Sequence, residues 1–335
     1  MKISIKRLSE LSGFSPATVS NALNGRRSVS PETSEKIIRL AREHGYATKE
    51  QSKRIRLVTF RDSGEVFSDS PFFSILLESV ENESRALGYE TMVINLYRGQ
   101  NDYEERVREL LRDTSSGILL VGTELTEETA LVFLHSAAPL VLMDCWFDRL
   151  PFNSVLMDNE SSVMEAVDYL VAQGHQKIGY LRGGIRIRNF QCRGRGYEWS
   201  MREHGLPVDD KYIIDVHPSI QGAYEDLKRE LAAGREMPTA FFADNDMIAL
   251  GAMHALTSAG WRIPEDTSII GFDDIPFSEI ATPGLTTIKV YKKELGQMAV
   301  RRLIELIRKP SAVCAKIQLM NELVLRKSVA APCKE

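Results

Sequence analysis

Apolar residues recur at helical spacing in three short stretches at the start of the chain. Ile5, Leu8 and Leu11 mark a first helix over 5–12, which Gly13 breaks. Ser15 offers an N-cap and Pro16 fills the first helical position, where a missing N–H costs nothing. A second helix then runs from Ala17 to Leu23, with Val19, Ala22 and Leu23 turned inward and Asn24-Gly25 ending it. Ser30 and Pro31 open a third helix in the same way; Ile37, Ile38 and Ala41 form its stripe and Gly45 closes it. Two short helices around a glycine-containing turn, braced by a third, make a helix-turn-helix.

Beyond residue 56 the period changes. Strand-like runs at Leu57–Phe60, Thr91–Asn95, Gly117–Val121 and Leu140–Asp144 alternate with helical patterns, such as Phe73, Leu77, Val80 and Leu87 on one face. The alternation restarts with Lys177–Leu181, Tyr212–Val216, Ala240–Ala243 and Ser268–Phe272. Two passes of this βαβα pattern predict an α/β fold: a three-helix head followed by two Rossmann-like lobes, each a parallel sheet covered on both faces. A cleft is expected where the carboxyl ends of the strands meet.

The 335 residues are 43% hydrophobic and 26% charged, which excludes a disordered chain. No apolar run approaches the ~18 residues that span a bilayer. Met1–Arg7 lacks the apolar core of a secretory signal, so a cytoplasmic protein with no membrane partner is expected. Cys145, Cys192, Cys314 and Cys333 lie far apart and the histidines are scattered, so neither a disulfide framework nor a metal site is expected. The net charge of −4 is uneven: residues 1–56 hold 12 Lys and Arg against 5 Asp and Glu, a local +7, while the remainder carries −11. A basic head on an acidic body implies that only the head meets a polyanion.

Ser15, Ala17, Thr18, Ser20, Asn21 and Asn24 face outward from the second helix. Small hydroxyls suit phosphate oxygens, and Asn21 is able to bond an adenine edge twice. Adding the neighbouring Ser4, Pro16 and Ser28, with Lys53 and Arg54 of the connector, completes the expected DNA-contacting set. In the body, Asp144, Asn245 with Asp246, and Asp273-Asp274 follow strands, Arg193 lies early in a helix, and Pro71-Phe72-Phe73 opens another. Alone, Asn245 and Asp273 each serve equally well as helix caps. Converging on one edge, they suit a small polyol, with carboxylates accepting from hydroxyls, arginine donating and aromatic faces covering C–H patches. Trp146, just beyond Asp144, is expected to add aromatic surface there. No nucleophile–base pair is evident, and Gly183-Gly184 and Gly194/Gly196 lack G-x-G-x-x-G spacing, so neither catalysis nor a cofactor is expected.

The stretch Ile5–Gly25, with its A-T-V-S…L-N-G core, followed by Val29-Ser30 and Gly45-Tyr46, resembles the headpiece of the LacI/GalR transcription regulators. Ser70–Phe73, Met157–Glu160, Gly174–Gly179, Arg193–Tyr197, Asn245–Gly251, Gly271–Asp274 and Leu285–Ile288 resemble that family's effector domain, which has the type I periplasmic-binding-protein fold. The resemblance implies a head over 1–46, a short basic connector over 47–56 and an effector-binding and dimerisation domain over 57–335. It divides the last into an N-lobe at about 57–157 and 288–316 and a C-lobe at about 158–287 and 317–335. Phe72, Phe73, Asp144, Arg193, Asn245 and Asp273 are the implied effector contacts, whereas Asp158-Asn159 reads as a helix start.

Five departures stand out. Asn21 replaces an arginine common in the family, and Thr48-Lys49 replaces the Pro-Asn of its hinge helix, which is therefore expected to be shortened or absent. The connector's basic residues then either touch phosphates or form a simple charged linker. Val290 and His217-Pro218 replace residues used by sugar-responsive members, and the loop Arg61–Asp69 is extended. The function implied is a sequence-specific DNA-binding repressor, a homodimer on a pseudo-palindromic operator, controlled by a small molecule bound between the two lobes and expected to be a sugar or sugar derivative. No leucine heptads follow Glu322–Arg326, so a tetramerising coil is not expected.

Overall fold

The computed structural model describes residues 4–23, 29–43, 53–67 and 70–333. The chain forms two compact units, Met1–Arg54 and Ile55–Glu335.

The first unit holds α1 (Ile5–Ser12), α2 (Pro16–Leu23) and α3 (Pro31–Glu43). Leu8, Val19, Ala22, Ile37 and Ala41 form its core, with Ile5, Phe14, Leu23, Val29 and Leu40 packed against them. Two expected core positions differ. Leu11 lies at the rim, 39% exposed. Ile38 is half-buried, and Leu40 takes its place against the core. The expected helix ends at Asn24-Gly25 and Gly45 lie outside the described residues.

The second unit begins with β1 (Arg54–Arg61), α4 (Pro71–Ala86), β2 (Glu90–Tyr97), α5 (Tyr103–Arg112), β3 (Gly117–Val121) and α6 (Glu127–Ala130). After them come β4 (Leu140–Met143), β5 (Asn153–Met157), α7 (Glu160–Ala172), β6 (Ile178–Gly183), α8 (Arg188–Glu203) and β7 (Ile213–Val216). Then follow α9 (Ile220–Ala232), β8 (Ala240–Ala243), α10 (Asp246–Ser258), β9 (Ser268–Asp273) and α11 (Pro276–Ile280). The last elements are β10 (Thr286–Lys289), α12 (Lys292–Arg308), β11 (Lys316–Leu319) and β12 (Glu322–Val324).

Two six-stranded sheets result, ordered β2-β1-β3-β4-β5-β11 and β7-β6-β8-β9-β10-β12. In the N-lobe sheet β1, β3, β4, β5 and β11 pair in parallel, with Leu57 opposite Leu119 and Leu119 opposite Val141. In the C-lobe sheet β7, β6, β8, β9 and β10 do the same. The closing β12 runs antiparallel to β10, a departure from the all-parallel expectation. The central strands are buried throughout, as parallel strands sandwiched between helices must be.

The lobe crossings shift from the expected positions. All of Thr286–Lys289 belongs to the C-lobe sheet, so the chain returns to the N-lobe just after residue 289, not at 288. Lys316–Leu319 pairs with β5 in the N-lobe, so the final crossing falls between 319 and 322, not at 316/317. Strands β5, β10 and β11 were not among the predicted runs. Leu87, past the end of α4, is exposed, and Leu76 is buried on that helix instead.

At the unit boundary, Lys53 and Arg54 are exposed and β1 already begins at Arg54. Ile55 is fully buried as strand core. Arg56 is withdrawn from the basic connector: its guanidinium is buried and donates to the carbonyls of Leu110 (2.9 Å), Asp113 (2.7 Å) and Ser116 (2.7 Å), and to the Asp113 carboxylate (3.1 Å). Residues 47–52 lie outside the described residues. No helix among the described residues is long and apolar enough to cross a membrane.

Candidate functional site

The head builds its outward face on serine caps. Ser4 Oγ accepts the Arg7 N–H (3.2 Å) at the start of α1. Gly13, at φ 73°, takes the left-handed conformation that ends the helix, where a side chain would add strain. Ser15 Oγ accepts the Thr18 N–H (3.1 Å) and lies 2.9 Å from the Thr18 hydroxyl, so α2 starts as the sequence predicts. Ser30 caps α3 through the Thr33 N–H (3.3 Å). Ser15, Pro16 and Ala17 are exposed and Thr18, Ser20 and Asn21 half-buried, placing the expected set at the front of one helix. Ser4 and Ser15 thus have structural duties of their own. Asn24 and Ser28 lie outside the described residues.

In the body, a cleft opens where the carboxyl ends of both sheets face each other. From the N-lobe, Val66, Ser70, Phe72 and Phe73 follow β1, Thr123 follows β3 and Asp144 follows β4. From the C-lobe, Ile187, Asn189, Phe190 and Arg193 follow β6, Asn245 follows β8 and Asp273 ends β9. Six of the seven effector positions read from the sequence therefore come together.

Trp146 is the exception. It packs with Leu156 and Cys192, its ring between the Arg188 guanidinium (5.0 Å) and the Lys316 ammonium (4.3 Å), and it does not line the cleft. Trp146 lies three residues past β4 with its ring packed behind the wall, whereas Asp144, directly after the strand, lines the cleft.

Backbone strain marks the carboxylates. Asp144 (φ 58°), Asp273 (φ 118°) and Asp274 (φ 51°) are the non-glycine residues at positive φ among those described. Such conformations cost on the order of 1–3 kcal/mol and collect at functional sites. Asp144 accepts from the Thr123 hydroxyl (2.5 Å) and the Asn189 amide (2.8 Å). Burial pushes its pKa up to about 7, opposed by the Thr123 hydrogen bond and the Arg193 charge. Burial also raises Asp273, while Arg193 and Lys292 pull it down.

Arg193 is positioned before any ligand arrives. Its Nε donates to Asn159 Oδ1 (2.8 Å), Nη1 to the Asp244 carbonyl, and Nη2 lies 3.7 Å from Asp273 Oδ1. The guanidinium stacks 3.6 Å from the centre of the Phe272 ring. Asn159 starts α7 as expected, but without capping it: its amide donates to Asn189 Oδ1 (3.1 Å), so one relay runs Arg193–Asn159–Asn189–Asp144–Thr123 across the lobes. Asn245 keeps its capping role, accepting the Ile248 N–H (2.9 Å), while still lining the cleft.

Asp246 stays out of the cleft. Its buried carboxylate ties Ile275 N–H (3.0 Å), Ser278 (2.6 Å) and Thr287 (2.5 Å) together. A Cβ at Gly271 would fall 2.2 Å from Asp246 Oδ1, so that glycine is required by close approach.

Thr123, Asn189, Ile187, Phe190 and Val66 were missed from sequence. One available signal was position: Arg188-Asn189-Phe190 opens the helix after β6 as Pro71-Phe72-Phe73 opens the helix after β1. Among the described residues, no group of three or more His, Cys, Asp or Glu side chains is arranged to hold a metal ion.

Comparison with known proteins agrees with both regions. Residues 4–49 match the model for bacterial regulatory proteins of the lacI family, and residues 167–329 match a periplasmic binding protein-like domain. The chain is 31% identical to the HTH-type transcriptional repressor PurR of Pasteurella multocida, over 97% of this chain and 98% of that protein. It is 29% identical to the ribose operon repressor of Haemophilus influenzae, with the same coverage. Among solved structures, the lac repressor dimer bound to operator and the anti-inducer ONPF is 26% identical, with a TM-score of 0.71, over 99% of this chain and all of that one.

Proposed function

The chain belongs to the lacI family of bacterial regulatory proteins and is a DNA-binding transcriptional repressor, not an enzyme; on that premise we propose that it answers to a small carbohydrate bound between its two lobes. The observation that carries this reading is the density of fixed hydrogen-bonding groups in one cleft: Asp144, Asp273, Arg193, Asn189 and Asn245 beside Phe72 and Phe73. Vicinal hydroxyls donate to carboxylates and accept from a guanidinium, and aromatic rings cover sugar C–H faces. The ribose operon repressor relative supports it. A purine base is the second reading, favoured by the PurR relative at 31% identity.

Calorimetry on the full chain with pentoses, hexoses, free purine bases and nucleosides decides between them. Heat from a sugar that disappears in Asp273→Asn supports the first reading. Binding confined to purines replaces it with the second, and heat from no compound removes both.

On DNA, α2 enters the major groove with Ser15, Pro16, Ala17, Thr18, Ser20 and Asn21 leading; Ser4, Asn24 and Ser28 belong to the same expected face, with Lys53 and Arg54 on flanking phosphates. A homodimer presents two such helices ~34 Å apart to a pseudo-palindromic operator in the cytoplasm. Effector binding changes how the lobes hold the heads, a reciprocal coupling of typically ~1–3 kcal/mol. Selection of operators from random duplexes tests the DNA arm. In that assay Asn21→Ala relaxes one base position, whereas Lys53→Ala weakens every duplex and flattens the salt dependence. Absence of any sequence preference would refute the assignment.

A further inference from the structure

Glu124, three residues past β3, is buried, and its carboxylate gathers a segment of the extended loop after β1. It accepts the backbone N–H groups of Asp62 (2.6 Å), Ser63 (3.0 Å), Gly64 (2.9 Å) and Val66 (3.3 Å), and the Ser63 hydroxyl (3.3 Å). Consecutive amides converging on one anion form a nest, here filled by the protein's own side chain.

The wrapped segment puts successive side chains to different uses. Val66 lines the cleft. Phe67 stacks on Phe73 with ring centres 4.0 Å apart, and the Arg61 guanidinium lies 5.0 Å from Phe67 and 5.4 Å from Tyr97. Glu65 reaches the other lobe, its Oε2 lying 3.0 Å from His217 Nε2. His217 is itself held: Nδ1 pairs with the Ser219 hydroxyl (2.9 Å), and its backbone N–H donates to Asp226 (2.8 Å). The His217 ring covers Gly222, where a Cβ would sit 2.5 Å from the His217 Cβ.

We propose that Glu124 and Glu65 are positioning residues of the effector cleft: Glu124 folds residues 62–66 into its wall, and Glu65 ties that wall to His217 of the opposite lobe. The proposal rests on the effector reading above. The two carboxylates contribute unequally. Glu124 satisfies several amides away from water, and replacing it strands them. Glu65 and His217 are half exposed, so their pairing is weak by itself and acts by favouring the closed arrangement of the lobes.

Hydrogen exchange on the full-length, ligand-free chain tests the first part. Glu124→Gln sets an amide N–H₂ among four donors, and exchange of the amides of 62–66 is expected to quicken by roughly tenfold or more while β3 is unchanged. Unaltered exchange overturns the role of Glu124. For the second part, Glu65→Gln and His217→Gln each weaken the calorimetrically identified compound by about two- to fivefold, mainly through faster dissociation. The double variant is no weaker than either single, and Glu65→His combined with His217→Glu restores affinity. Additive losses, or a swapped pair no better than the singles, overturn the tie. Should the wild-type chain bind no compound, the effector reading fails while the exchange result still stands. In that case spin-label distances across the cleft decide the tie: Glu65→Gln is expected to broaden them, and an unchanged distribution overturns it.

Discussion

The two walls of the cleft share a topology and differ in chemistry. In matching sheet orders, β1 corresponds to β6, β3 to β8 and β4 to β9. Asp144 after β4 and Asp273 at the end of β9 thus occupy equivalent places, both at positive φ. Their partners diverge: Asp144 is held by a hydroxyl and an amide, whereas Asp273 sits beside Arg193 and Lys292. The N-lobe wall takes its shape from packed phenylalanines, Phe67 stacked on Phe73 and Phe72 edge-on to it, and the C-lobe wall takes its charge from a hydrogen-bonded arginine. A ligand that needs both a face and fixed charges is satisfied only when the lobes meet, which is how binding is able to bias their arrangement.

The largest effect is expected where that division of labour is sharpest. Arg193→Ala leaves Asp273, Asn159 and the Asp244 carbonyl without their cationic partner in a buried site. A stability loss of about 3–5 kcal/mol is expected in urea unfolding, together with loss of measurable effector heat. Phe73→Ala removes a buried ring from the opposite wall and is expected to cost about 3 kcal/mol in stability but only about tenfold in affinity. If both variants lose affinity equally, the walls do not divide face from charge.

Asp144 supplies a smaller, pH-dependent effect. Its pKa is raised from 3.8 to about 7, chiefly by burial, so near neutrality the free protein carries it partly protonated. A ligand hydroxyl donating to the carboxylate lowers that pKa in the complex; binding then releases a proton below about pH 7, and affinity falls as pH drops. Calorimetry at pH 7.5 and 6 is expected to differ by roughly fivefold, and Asp144→Asn to remove the difference. The stability sign is opposite. The folded state binds the proton more tightly than the unfolded chain, so this group's contribution declines as pH rises from 3.8 through about 7. An Asn variant that keeps the full pH dependence of binding moves it to another group, Asp246 being one with a pKa also raised to about 7.

Much of this was legible because local chemistry and periodicity agreed. Serine caps followed by proline announced α2 and α3, and polar residues after apolar strands announced Asp144, Asn245 and Asp273. What stayed hidden depended on partners far along the chain. Asn189 reads as an ordinary first-turn helix residue and Thr123 as an ordinary loop residue until Asp144 lies between them. Arg56 reads as one more connector charge, yet the carbonyls of Leu110, Asp113 and Ser116, more than fifty residues away, make its burial tolerable. Glu124 likewise has no sequence signal, because its donors are backbone amides that any residues would supply.

Trp146 provides the smallest expected effect and the finest test of where the N-lobe wall ends. The residue is 7% exposed and packs against Leu156 and Cys192 behind the wall, its ring between cations from α8 and β11. Trp146→Phe keeps an aromatic face for Arg188 and Lys316. Effector affinity is expected to stay within about twofold, because Trp146 does not line the cleft. A tenfold loss in the same titration would return Trp146 to the cleft wall and extend the aromatic face from the start of α4 to the end of β4.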